Sequence, residues 1–151
     1  MKNLLLIVLF LAAVSPTVSP ALAQNDDGPS APASSDEDSV RAVIVSGYIE
    51  GMHINRDAEA ALAAFHEDFV MHARVDGEVR QITIEQWVSR LGGGKNEDEI
   101  TYEFTSVIVT GTTANAVLEV FENGTHIYTD YFGLYEGDDG WKIMNKIYQS
   151  H

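Results

Sequence analysis

The chain has 151 residues, 45% of them hydrophobic, and no cysteine; twenty-three acidic side chains face nine basic ones, for a formal charge of −14. A surface so acidic repels phosphate backbones and anionic lipid, which disfavours nucleic-acid and membrane-surface partners. Without cysteine there is no disulfide and no lipid-modified cysteine after a leader.

Met1 to Ala23 has the order of a cleavable export signal: Lys2, an apolar run from Leu4 to Val14, then Ala21-Leu22-Ala23. The run falls short of the roughly 20 apolar residues that cross a bilayer. Cleavage before Gln24 would remove Lys2 as the only charged side chain and leave a net charge of about −15. The expectation is an exported protein, periplasmic or secreted, with no membrane association after cleavage. Residues 24–35 are Pro, Ser, Ala and Asp with little to bury, and read as a disordered spacer. Residues 36–151 are of a size for one domain with one core.

Ser35 and Asp38 have the spacing of a capping box. Val40, Val43, Ile44, Gly47, Tyr48 and Gly51 then share one helical face, so the first helix is expected to end near Gly51. Asp57 can cap a short second helix over Ala58–Phe65. From Phe69 the period becomes two, and Asp76-Gly77 supplies the turn of a hairpin between Phe69–Val75 and Glu78–Ile82. Thr83 with Gln86 forms a second capping box, and Ile84, Trp87, Val88 and Leu91 make a third helix that stops at Gly92-Gly93-Gly94. Strands are expected over Ile100–Val109, Thr113–Glu122, Thr125–Tyr135 and Trp141–Gln149. Helices kept apart from a long antiparallel meander give an α+β class, a curved sheet of about six strands wrapped around three helices from the N-terminal half.

Tyr48-Ile49, Phe65-His66-Glu67-Asp68, Glu85-Gln86-Trp87, Tyr128-Thr129-Asp130-Tyr131 and the run Gly140 to Tyr148 follow one another in an order and spacing that resembles the nuclear transport factor 2-like superfamily. Within it the chain most resembles the "putative lumazine-binding" family. The resemblance covers nearly all of Val40 to Tyr148, implies the polyketide-cyclase-like cone fold, and brings no settled activity. Likeness to the ketosteroid isomerases of that superfamily places Tyr48 where they keep an oxyanion-hole tyrosine and Asp130 where they keep its partner acid. The position of their catalytic carboxylate falls on Ala73, which cannot move a proton. His72, its neighbour in the strand, should point to the opposite face.

If Asn123-Gly124 is a two-residue turn, Phe121 faces His126, Glu119 faces Tyr128 and Val117 faces Asp130 on one side of the sheet. The register adds Tyr102, Phe104 and Ser106 to that side, and the last strand adds Trp141, Ile143, Asn145 and Ile147. This mixed aromatic and polar side reads as the interior of a pocket, and the apolar opposite side as the interface of a homodimer. The expected ligand contacts are Tyr48, Tyr102, His126, Tyr128, Asp130 and Asn145, with Trp87 as a stacking wall. A neutral Asp130 could then donate a hydrogen bond with Tyr48; equally, the two could form a buried pair that only satisfies the core. His53 reads as an exposed loop residue, histidine spacing does not support a metal site, and no cofactor is expected.

The leading expectation is an exported, non-catalytic domain binding a small, partly aromatic molecule. The alternatives are an isomerase, dehydratase or cyclase using His126 as base and a Tyr48–Asp130 electrophile, or a protein-interaction module using the outer sheet face.

Overall fold

The structure, a computed structural model, describes residues 33–151 of the chain. The expected leader and most of the expected spacer lie outside the described residues.

Helix α1 spans Ala33–Ile44 and continues without a break into a π-helical segment, Val45–Asn55. The helical run therefore passes Gly51 instead of ending there. A Cβ on Gly47 would overlap the Cβ of Ala64, and one on Gly51 would lie 3.2 Å from the amide nitrogen of Ala61. These glycines mark where the next helix crosses closely, and not a stop. The run closes at Arg56, in the left-handed region at φ 54°, and the Asp57 N–H donates to the Gly51 carbonyl at 2.7 Å. Asp57 caps α2 (Ala58–Ala64) as expected, accepting from the amides of Glu59 and Ala60 at 2.9 and 3.2 Å.

Strands β1 (Phe65–Val75) and β2 (Glu78–Thr83) form the expected hairpin, with positive φ at Asp76 and Gly77. The Thr83–Gln86 capping box opens α3 (Ile84–Val88). Four long strands follow: β3 (Ile100–Thr110), β4 (Thr113–Glu122), β5 (Thr125–Gly137) and β6 (Gly140–Ser150). The sheet order is β2-β1-β6-β5-β4-β3, antiparallel throughout except that β1 and β6 run parallel. It is a curved, unclosed α+β sheet with α1 packed on β3 and β6 and α3 on β1. Val40, Ile44, Ile49, Phe69, Ile84, Leu118, Val120, Phe132 and Ile143 fill the space between helices and sheet.

Two register shifts decide what faces that space. Val120 pairs with Tyr128 but Phe121 with His126, which leaves Ile127 as an extra residue in β5. Gly133 pairs with Asn145 but Leu134 with Ile143, which leaves Met144 extra in β6. Each extra residue reverses the in–out alternation on one side of it. Tyr128 and Asp130 therefore point inward beside Val120 and Leu118, where sequence pairing had set them beside Glu119 and Val117. In β6, Trp141 and Ile143 are buried as expected, whereas beyond the bulge the inward positions are Lys146 and Tyr148, with Asn145 and Ile147 outside.

Candidate functional site

Three polar side chains from three elements meet inside this core. Tyr48, on the π-helical segment, donates from its hydroxyl to Oδ2 of Asp130 on β5 at 2.6 Å. Lys146, on β6, donates from Nζ to the same hydroxyl at 2.9 Å and forms an ion pair with Oδ1 of Asp130 at 2.7 Å. Tyr48 and Asp130 are fully buried, and Lys146 is 2% exposed. Among the described residues, the ammonium is the sole partner of Oδ1 of Asp130. A lysine ammonium has three N–H bonds, so two partners leave one over.

The Lys146 side chain also lines a cavity of about 230 Å³. Its walls are Tyr48, Met52, His53, Met71, Trp87, Leu91, Tyr128, Lys146 and Tyr148. A cavity of about 150 Å³ can hold benzene, so this one accepts a single ring with a substituent. Five aromatic rings, those of Tyr48, Tyr148, Trp87, Tyr128 and Phe132, lie between 4.6 and 6.0 Å from the ammonium. Their faces help offset the cost of burying the charge.

The electrostatics follow from burial. Desolvation pushes the pKa of Lys146 below the usual lysine value, opposed by the attraction of Asp130. Burial first, and the Asp130 charge second, hold the Tyr48 phenol well above its ordinary range. The Tyr128 hydroxyl is raised by burial and by Tyr148. Burial and the Lys146 charge lower His53 to about 4, so its imidazole is neutral at neutral pH. His53 stands edge-on to the Tyr48 ring at 4.7 Å. It had been expected in an exposed loop; the helical run carries it into the cavity wall instead.

Of the residues expected from sequence, Tyr48, Trp87 and Tyr128 line the cavity. Asp130 lies behind them, with the Tyr48 hydroxyl on Oδ2 and the Lys146 ammonium on Oδ1. The other three are not brought to the cavity. Tyr102 pairs with Val120 but sits on the edge strand β3, 41% exposed and edge-on to Phe104. The Ile127 bulge turns His126 to the outer face, where it stacks on Phe121 and His151 and lies 2.9 Å from the Tyr128 carbonyl. The Met144 bulge turns Asn145 outward over Gly133. Trp141 is buried outside the cavity walls. Ala73 is buried on β1, and His72 points the other way, to Gln81.

Sequence reasoning missed Lys146 and His53. Lysine is almost never fully buried unless paired, so a strand lysine is read as solvent-facing by default. The signal that could have found it is Asp130 itself: a carboxylate expected in an apolar core requires a cation, and Lys142 and Lys146 are the basic side chains of the neighbouring strand. Among the described residues, no group of three or more His, Asp or Glu side chains converges as a metal site would.

The family described as "Putative lumazine-binding" matches residues 35–149. The chain belongs to this family. A curated relative, "Aldolase FrzH" from Cladobotryum sp., is 30% identical over 113 residues, which cover 73% of this chain and 90% of that protein. Among solved structures, an NTF2-like protein from Methylobacillus flagellatus KT is 25% identical, with a TM-score of 0.65, covering 80% of this chain and 96% of its own. One from Silicibacter pomeroyi DSS-3 is 18% identical, with a TM-score of 0.66, covering 76% and 94%. The lumazine-binding-like family thus carries an NTF2-like fold here, as the order of the sequence motifs implied.

Proposed function

We propose that this lumazine-binding-like domain takes a small, one-ring carbonyl or enolic compound, with its oxygen on the Lys146 ammonium and its ring between Trp87, Tyr128 and Met71. The observation that carries this reading is a buried cation with an N–H to spare at the base of an aromatic-walled cavity, next to a neutral imidazole. A carbonyl or enolate oxygen is the acceptor such a donor fits, and a hydrogen bond to a charged group is worth about 1.5–3 kcal/mol. Calorimetric titration of phenol and benzaldehyde into the wild type and Lys146→Met tests it. A tenfold or greater loss of affinity in the variant is expected; equal affinity for both proteins would remove the reading.

A second reading is favoured by the relative named an aldolase: chemistry at the bound carbonyl, with Lys146 stabilising the oxyanion and His53 available as proton acceptor. Turnover of an aldol substrate that disappears in both His53→Phe and Lys146→Met would support it over simple binding.

Export is supported by the Lys2, Leu4–Val14 and Ala21-Leu22-Ala23 pattern. A homodimer through the outer sheet face is supported by Ile108, Tyr131, Tyr135 and Ile147, all outward and 46–62% exposed. Sedimentation at micromolar concentration showing monomer alone would exclude that dimer.

A further inference from the structure

Lys146 has more around it than a hydrogen-bonding role requires. We propose that Lys146 forms a covalent imine with an aldehyde or ketone held in the cavity, which rests on the carbonyl-binding reading above and adds a bond to it.

Imine formation needs an amine within reach of the carbonyl, an acceptor for its proton and a donor for the oxygen that leaves as water. All three are in place. The Lys146 side chain lines the cavity and is 3% exposed. Oδ1 of Asp130, buried and 2.7 Å from Nζ, can accept the ammonium proton. The Tyr48 hydroxyl, 2.9 Å from Nζ and 2.6 Å from Oδ2, holds the amine and the carboxyl group against each other.

The step balances with these groups alone. The ammonium gives one proton to Asp130, and the freed Nζ lone pair attacks the carbonyl carbon as the carbonyl π pair moves to oxygen. One N–H proton passes to that oxygen, giving a neutral carbinolamine. Asp130 gives its stored proton to the hydroxyl, the C–O bond breaks, water leaves, and the nitrogen lone pair closes a protonated C=N bond. Asp130 ends ionised, as it began.

Reactant ammonium and product iminium both place one positive charge at Nζ. The five rings and the Asp130 carboxylate that hold the first therefore hold the second, and only the short-lived amine forgoes them. Burial, which lowers the lysine's proton affinity, assists that amine. Lys142 donates from Nζ to the Ala63 carbonyl and is not among the walls of this cavity.

The test is to treat the full-length protein with benzaldehyde and sodium cyanoborohydride and to map the product by peptide mass spectrometry. Benzaldehyde binding is followed in parallel by quenching of Trp87 fluorescence and its reversal by phenol. The expected result is one benzyl group on Lys146, acquired at least tenfold faster than any on Lys95 or Lys142 and suppressed by phenol. Lys146→Arg, which keeps the cation but has no nucleophilic amine, should take no label at that position. Label on Lys95 and Lys142 with Lys146 bare, while benzaldehyde still quenches Trp87 and phenol displaces it, would overturn the covalent step and leave the binding reading intact. Neither quenching nor label at Lys146 would remove both.

Discussion

Replacing His53 with phenylalanine should remove one pH dependence from the stability of the domain. Burial and the neighbouring Lys146 charge bring the folded-state pKa of His53 to about 4, from an ordinary value of 6.5. As pH falls, the unfolded chain takes up this proton before the folded one does. The contribution is therefore complete above about pH 6.5 and is lost as pH drops toward 4. Between about pH 7.5 and pH 5 the loss is about 2 kcal/mol. Phenylalanine keeps an aromatic edge on Tyr48 and does not titrate. Urea unfolding of wild type and His53→Phe at both pH values measures the difference directly, because the carboxylates common to the two proteins cancel. A wild type that loses about 2 kcal/mol more than the variant bears out the reasoning. Equal losses would mean that His53 is not held neutral by its surroundings, and would take away the proton acceptor of the aldol reading.

Lys146→Met leaves the Asp130 carboxylate buried without its cation and should cost about 3–5 kcal/mol in urea unfolding; adding Asp130→Asn should recover a large part of it. Gly47→Ala sets a methyl against Ala64 and should destabilise by about 1–3 kcal/mol, and Ala64→Gly in the same chain should relieve it. Asn145→Ala and His126→Ala, both on the outer face, should leave the affinity for phenol within about 0.5 kcal/mol of wild type in calorimetry.

The parts of the fold that were legible in sequence are those fixed by local chemistry. Asp76-Gly77 and Asn123-Gly124 need positive φ at both turn positions and have it, and Asp57 and Thr83 cap the helices their side chains can reach. The order of motifs placed Tyr48 and Asp130 in contact, and they share a hydrogen bond. What was not legible is long-range register. A bulge at Ile127 or Met144 has no composition of its own, yet each exchanges the faces of the residues next to it. His126 and Asn145 left the pocket for that reason alone, and Lys146 and Tyr148 entered it. The π-helical segment was hidden in a similar way. Gly51 offers the same local cue whether it ends a helix or lets another one cross, and the choice is made by Ala60 and Ala61 of α2. His53 reaches the cavity because the helix continues.

The central claim is that the cavity against Lys146 is where a ligand binds, and Trp87 in its wall reports on that directly. In Trp141→Phe, which leaves Trp87 as the sole tryptophan, titration with benzaldehyde should quench the fluorescence to saturation, and adding Lys146→Met should weaken that quenching at least tenfold. Quenching that is unaffected by Lys146→Met, or that survives in Trp87→Phe with Trp141 alone, would place the ligand elsewhere and contradict the account.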